Sequence, residues 1–201
     1  MNEFTCSDGS CISIEKRCDI FKDCNDDSDE ENCTLLKTVV GLREDPPLFH
    51  RYENGTAVNV TITVSRIGSF NEMAMTFKTR FFIKIAWLDW RLVFANLKKS
   101  SENFNYLSNE DEKKIWLPGL IFGNSIIETN LKYDDFSTVF VSRKGNPAPN
   151  SMTELYENEI FKGEENPLVY KRTYELELSC TFQLEKYPFD YQICYIDVSI
   201  K

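Results

Sequence analysis

The chain has 201 residues, enough for one sizeable core and a small accessory module. Its formal net charge of -9 is unevenly placed: residues 1–34 carry 10 acidic against 3 basic side chains, and the remainder 22 against 20. An acidic head repels nucleic acid and suits a hard cation, so a nucleic-acid partner is excluded. No run of 18 apolar residues is present to span a membrane, and the first residues show no signal-peptide run, an absence that weighs little against secretion.

Five of the seven cysteines fall between Cys6 and Cys33, in CSDGSCISIEKRCDIFKDCNDDSDEENC. A segment this short cannot bury enough apolar surface to hold itself, so crosslinks or a metal must do it. Clustered cysteines raise zinc as one alternative. Against it, the gaps between them are 4, 6, 5 and 8 residues, with no Cys-x-x-Cys and no nearby histidine. A plain solvated acidic loop is the other alternative, although here the carboxylates interleave with cysteines. Paired cysteines and the acceptor sequons at Asn32, Asn54 and Asn59 point to an oxidising, secretory compartment.

The head resembles a class A repeat of the low-density-lipoprotein receptor. The matching residues are Phe4-Thr5-Cys6, Gly9-Ser10-Cys11-Ile12, Cys18-Asp19, Asp23-Cys24 and Asp26 to Glu30 before Cys33. The resemblance implies the pairs Cys6–Cys24 and Cys18–Cys33. It leaves Cys11 without the family's sixth cysteine, whose position would fall ahead of Met1. It also implies one calcium ion held by Asp19, Asp23, Asp29 and Glu30, with the carbonyls of Lys16 and Phe21 completing the shell. Lys16 stands where members that grip basic ligands carry tryptophan.

Beyond the head, Leu35 to Leu42 reads as a short helix stopped by Pro46-Pro47. After that the pattern alternates. Val60, Ile62 and Val64 alternate with threonines; Phe81, Ile83, Ile85 and Trp87 with Arg80, Phe82, Lys84 and Ala86; Tyr174, Leu176 and Leu178 with Thr173, Glu175 and Glu177; Ile196, Val198 and Ile200 with Asp197 and Ser199. Period-two runs with one apolar face are half-buried strands. Separated by turns such as Gly145-Asn146-Pro147, they indicate a sandwich or barrel. Cys180 and Cys194 lie on the apolar parity of their strands. A bond between them closes a loop worth on the order of 3 kcal/mol in the chain-entropy model. An aromatic ahead of Pro188 makes a cis bond an open alternative.

The stretch CTFQLEKYPFDYQIC is similar to the signature loop of Cys-loop ligand-gated ion channels. Trp87-Leu88-Asp89-Trp90-Arg91-Leu92 resembles the family's Trp-x-Asp-x-Arg-Leu strand end, and Trp116 to Asn124 its Trp-x-Pro-Asp segment, with Gly119 in place of the aspartate. The resemblance implies an immunoglobulin-like β-sandwich with a short N-terminal helix over 35–201, behind the repeat at 1–34. It implies a pentamer of homologous subunits that binds a small-molecule agonist between neighbours. Phe122, Gly123 and Asn124 would belong to the principal face, and Phe82, Lys84 and Lys171 to the complementary face. The rest of the site and four membrane helices would follow Lys201 in a longer parent at the cell surface. Two alternatives differ in class. An enzyme lacks any nucleophile–base pair, phosphate loop or metal triad, His50 being the single histidine. A secreted adhesion or ligand-binding protein would carry the same head and sandwich.

Overall fold

The computed structural model describes residues 3–38, 43–48, 56–99, 105–126, 132–133, 138–148 and 158–201. Val39 to Leu42, His50 and Asn54 of the sequence reading lie outside them. The described chain is all-β, with twelve strands, one 3-10 turn at Ile14–Lys16 and the four-residue helix α1 (Asn109–Glu112). No helix among the described residues is long and apolar enough to cross a membrane. Two compact units are separable: Met1–Asn59 with Ala86–Leu117 and Thr138–Tyr170, and Val60–Ile85 with Pro118–Ser137 and Lys171–Lys201.

The first unit opens with β1 (Glu3–Thr5) and β2 (Cys11–Ser13), antiparallel, Phe4 facing Ile12 across the ladder. Phe4, Cys6, Ile14 and Cys24 make a small core with Ile12 against it. So few apolar side chains cannot outweigh chain entropy, and the disulfides Cys6–Cys24 and Cys18–Cys33 close the module. Arg17 reinforces it. The guanidinium lies over the Phe4 ring at 4.6 Å and donates to the carbonyls of Asp29 and Glu31.

Next, β3 (Leu36–Thr38), β6 (Val93–Ala95) and β10 (Ile160–Lys162) form a three-stranded sheet with β6 in the middle. Phe94 stands opposite Leu36 on one side and Phe161 on the other, all three buried. The helix expected over 35–42 is therefore corrected at Leu36–Thr38, which is strand. The free edge of β6 offers ladder partners, and Ala95 N–H donates to Leu35 O at 2.9 Å. The β-branched Thr38 suits an extended backbone better than a helix.

A corner follows β5. Asp89 and Arg91 form a bidentate pair at 2.8 Å and 2.8 Å, the carboxylate fully enclosed. Arg91 also donates to Asp45 O, and Trp90 Nε1 to Leu48 O. Gly163 passes so close to the carbonyls of Asp89 and Leu92 that a side chain there would collide with backbone.

The largest sheet runs β4 (Val58–Asn71), β5 (Thr76–Trp87), β11 (Leu168–Ser179), β8 (Lys132–Tyr133), with β9 (Thr138–Val141) also pairing with β11. The alternation of β5 is realised: Phe81, Ile83 and Ile85 have no exposed surface and Trp87 almost none, while Phe82, Lys84 and Ala86 are half-buried. Tyr174, Leu176 and Leu178 of β11 are buried likewise. On β4 the expectation fails. Val60, Ile62 and Val64 are 37%, 38% and 45% exposed. Alternation tells which side chains share a face; β4 is an edge strand, and no described residue covers that face.

Strand β7 (Leu120–Phe122) pairs with β12 (Val198–Ile200). The strand read at 196–200 thus begins only at Val198, and Cys194 lies in irregular chain rather than on a strand beside Cys180. The Cys180–Cys194 disulfide forms all the same, and Tyr187–Pro188 is cis.

Burial on β5 and exposure on β4 predict opposite sensitivities. Ile83→Ala should cost about 2–5 kcal/mol, whereas Ile62→Ala should cost less than about 1 kcal/mol. Urea midpoints followed by tryptophan fluorescence check both.

Candidate functional site

Three of the four acidic residues singled out in the head organise one stretch of backbone. Asp19 accepts from Phe21 N–H at 3.0 Å, Glu30 from Asp19 N–H at 2.8 Å, and Asp29 from Asp23 N–H at 2.8 Å. The loop they surround is under constraint. Cys18 and Ile20 sit at φ 60 and 70, a region costly for a β-branched residue. Asp29 has no exposed surface, and its second oxygen, Oδ1, has no hydrogen-bond partner. A buried, unpaired carboxylate oxygen is expensive unless a cation meets it. That orphan oxygen, among hard oxygen donors, fits a calcium ion.

Among the described residues the metal-competent atoms that converge lie elsewhere, at Cys6, Cys24 and Asp26. The two sulfurs there are bonded to each other, so neither is a thiolate and only one carboxylate remains.

The body holds the head through two neighbouring lysines. Lys98 Nζ donates to the carbonyls of Glu15 and Arg17, each at 2.6 Å, and the neighbouring Lys99 pairs with Glu15 at 3.0 Å. Burial holds the Lys98 ammonium below its ordinary range, with Asp19, Glu159 and Glu30 drawing it back.

In the second unit, the outward face of β5 carries Arg80, Phe82 and Lys84. Arg80 is spent on Glu175 of β11, at 3.0 Å and 2.5 Å, and Lys78 pairs with Glu177. Two residues back on β5 matches two residues forward on β11. Continued in register, the same antiparallel progression sets Phe82 opposite Thr173 and Lys84 opposite Lys171. All four are half-buried, and Lys84 makes no ion pair with a described residue.

Phe122, Gly123 and Asn124 come together at the end of β7. Phe122 packs edge-on against Phe81 at 5.7 Å and Tyr174 at 4.9 Å. A Cβ at Gly123 would meet the Asp197 side chain. The Asn124 amide is fully engaged: Nδ2 donates to Tyr195 O at 2.8 Å and Ser179 O at 3.2 Å, and Oδ1 accepts from Asp197 N–H at 3.1 Å. Asn124 therefore latches the segment that follows Cys194 onto the end of β11. Sequence reasoning missed this role and that of Lys98. Neither has a local signal, since every partner is far away in the chain.

Of the sequon asparagines, Asn32 and Asn59 are exposed.

These arrangements match known proteins in two places. Residues 43–200 match the neurotransmitter-gated ion-channel ligand binding domain, and residues 1–33 the low-density lipoprotein receptor domain class A. The chain belongs to the neurotransmitter-gated ion-channel ligand binding domain family, with a class A repeat at its start. It is 28% identical over 144 residues to the serotonin-gated chloride channel mod-1 of Caenorhabditis elegans, covering 72% of this chain and 25% of that protein. It is 24% identical over 145 residues to a glutamate-gated chloride channel of Drosophila melanogaster, covering 70% and 27%. The head is 52% identical over 31 residues to SCO-spondin of Gallus gallus, covering 15% of this chain and 1% of that protein. The chain thus spans about a quarter of the length of the channels it matches.

Two outcomes follow from these sites. Cys11 is the free, exposed cysteine, so unreduced protein should take up one equivalent of a thiol reagent, located at Cys11 by peptide mapping. Removing the Asn124 latch by Asn124→Ala leaves backbone groups unpaired and should destabilise the fold by about 1–3 kcal/mol. Limited proteolysis should then cut faster within 181–196.

Proposed function

We propose that this chain is the extracellular ligand-binding portion of a ligand-gated channel subunit, and that its β5 face receives an anionic small-molecule agonist between neighbouring subunits of a pentamer. In the parent protein the pore would belong to segments beyond those described, at the cell surface. The class A repeat at 1–34 would be a separate calcium-holding module, with the ligand-binding domain over 35–201. Asp19, Asp23, Asp29 and Glu30 would supply side-chain oxygens to the ion, and Lys16 and Phe21 their carbonyls. The ion would complete the fold of a loop that has few apolar contacts of its own. Glycans at Asn32, Asn54 and Asn59 accord with that location.

What supports the anionic agonist is Lys84, half-buried beside Phe82 on the β5 face and making no ion pair with a described residue, with Lys171 on the neighbouring strand as a second cation. One relative is gated by an amine and the other by an acidic amino acid, so kinship does not choose between them. The half-buried Lys84 ammonium favours a carboxylate, and the Phe82 ring gives the agonist's remaining atoms an apolar wall. Phe122 would reach such a site only through its packing on Phe81, and Gly123 and Asn124 would shape the principal face rather than touch the agonist.

The test uses the complete receptor in a cell membrane, screened with acidic amino acids. A charge-assisted contact is worth about 1.5–3 kcal/mol, so Lys84→Ala should raise the half-maximal concentration roughly tenfold or more at unchanged surface expression. An unchanged response would discard the anionic agonist. A shift confined to Phe82→Ala would point to a neutral or cationic one.

A further inference from the structure

The turn that carries Lys16 brings an ammonium group to the acidic loop. Lys16 Nζ stands 2.5 Å from Asp23 Oδ1. One of the four carboxylates assigned to the ion is therefore already paired with a lysine of the same module.

The lysine is also aimed. It ends the 3-10 turn Ile14–Lys16, and the carbonyls on either side of it, of Glu15 and Arg17, are both taken by Lys98 Nζ at 2.6 Å. Its flanking peptides are thus fixed from the body of the protein, which holds the Lys16 backbone beside the acidic loop with Asp23 within reach of the side chain.

We propose that Lys16 is a built-in competitor of the calcium ion, neutralising Asp23 when calcium is absent and opposing its entry. This rests on the calcium reading of the head given above. A calcium ion bound through Asp23 either displaces the ammonium from that carboxylate or shares the carboxylate with it. In the first case the Lys16–Asp23 pair must break. In the second, a dication and a cation sit within a few ångströms and repel one another, with Lys16 exposed and Asp23 half-buried. Both routes weaken calcium binding, so the head fills only at the high calcium levels typical of extracellular modules, around 10⁻⁴–10⁻³ M. Magnesium, which holds its water more tightly, gains still less from such a site.

The sign of the effect separates this role from a structural one. If the Lys16–Asp23 pair only held the loop together, its loss would loosen the loop and weaken binding. If it competes, its loss strengthens binding. The experiment is calorimetric titration of calcium chloride into the full chain at fixed ionic strength, for wild type, Lys16→Met, Lys16→Gln and Lys16→Arg. Non-reducing peptide maps first establish that Cys6–Cys24 and Cys18–Cys33 are intact in each. The expected result is that Lys16→Met and Lys16→Gln bind calcium about tenfold tighter, or more, while Lys16→Arg, which keeps the charge, stays close to wild type. Equal or weaker binding by both neutral variants would overturn the competition and leave the calcium reading standing. No calcium-dependent heat from any of the four chains would overturn both.

Discussion

The dry face of β5 is the constraint from which the rest of the body follows. Phe81, Ile83 and Ile85 give up all of their accessible surface, and Trp87 nearly all. At about 1.5–3 kcal/mol for each such side chain, no register other than the observed one is competitive. Fixing that face fixes the other. Arg80, Phe82 and Lys84 must then stand together on the opposite side, and the strand's rigidity holds them there. The same burial carries Trp87 to the strand's end, where Trp116 meets it edge-on at 6.0 Å, and delivers Asp89 and Arg91 to the corner beyond.

Two of the three stretches that carry the channel resemblance brace the fold. Trp87 and Trp116 pack on one another, Asp89 and Arg91 close a corner, and Asn124 ties the chain beyond Cys194 to the end of β11. The side chains proposed to choose the agonist, Phe82, Lys84 and Lys171, belong to none of them. This division is physical. Bracing needs specific shapes and fully satisfied hydrogen bonds, while a ligand-facing surface can change its charge without upsetting the core behind it.

The head solves a different problem. With four core residues and a large acidic excess, it relies on two disulfides and on cations placed at particular points: Arg17 over Phe4, Lys16 on Asp23, Lys98 on the turn between them. Each cation meets a carbonyl or a carboxylate, so electrostatics replaces the apolar burial that a module of this size lacks.

The sequence by itself determined the all-β class, the faces of β5 and β11, the five-cysteine acidic head and the membership of the body in a channel family. The first three depend on short-range periodicity and on spacing within one segment, which a linear string records, and the family on the resemblance of three stretches to its motifs. Only the tertiary structure decided that Leu36–Thr38 is a strand, because its ladder partner β6 lies more than fifty residues away. It likewise decided that Val60, Ile62 and Val64 stay exposed, since parity cannot say whether a neighbour covers a face. The pairing of Arg80 with Glu175, which leaves Lys84 as the cation opposite Lys171, and the reach of Lys98 to the turn carrying Lys16 are further cases. A hydrogen bond or ion pair is specified to a few tenths of an ångström, and chain entropy lets its partners sit anywhere in the sequence, so no local pattern announces them.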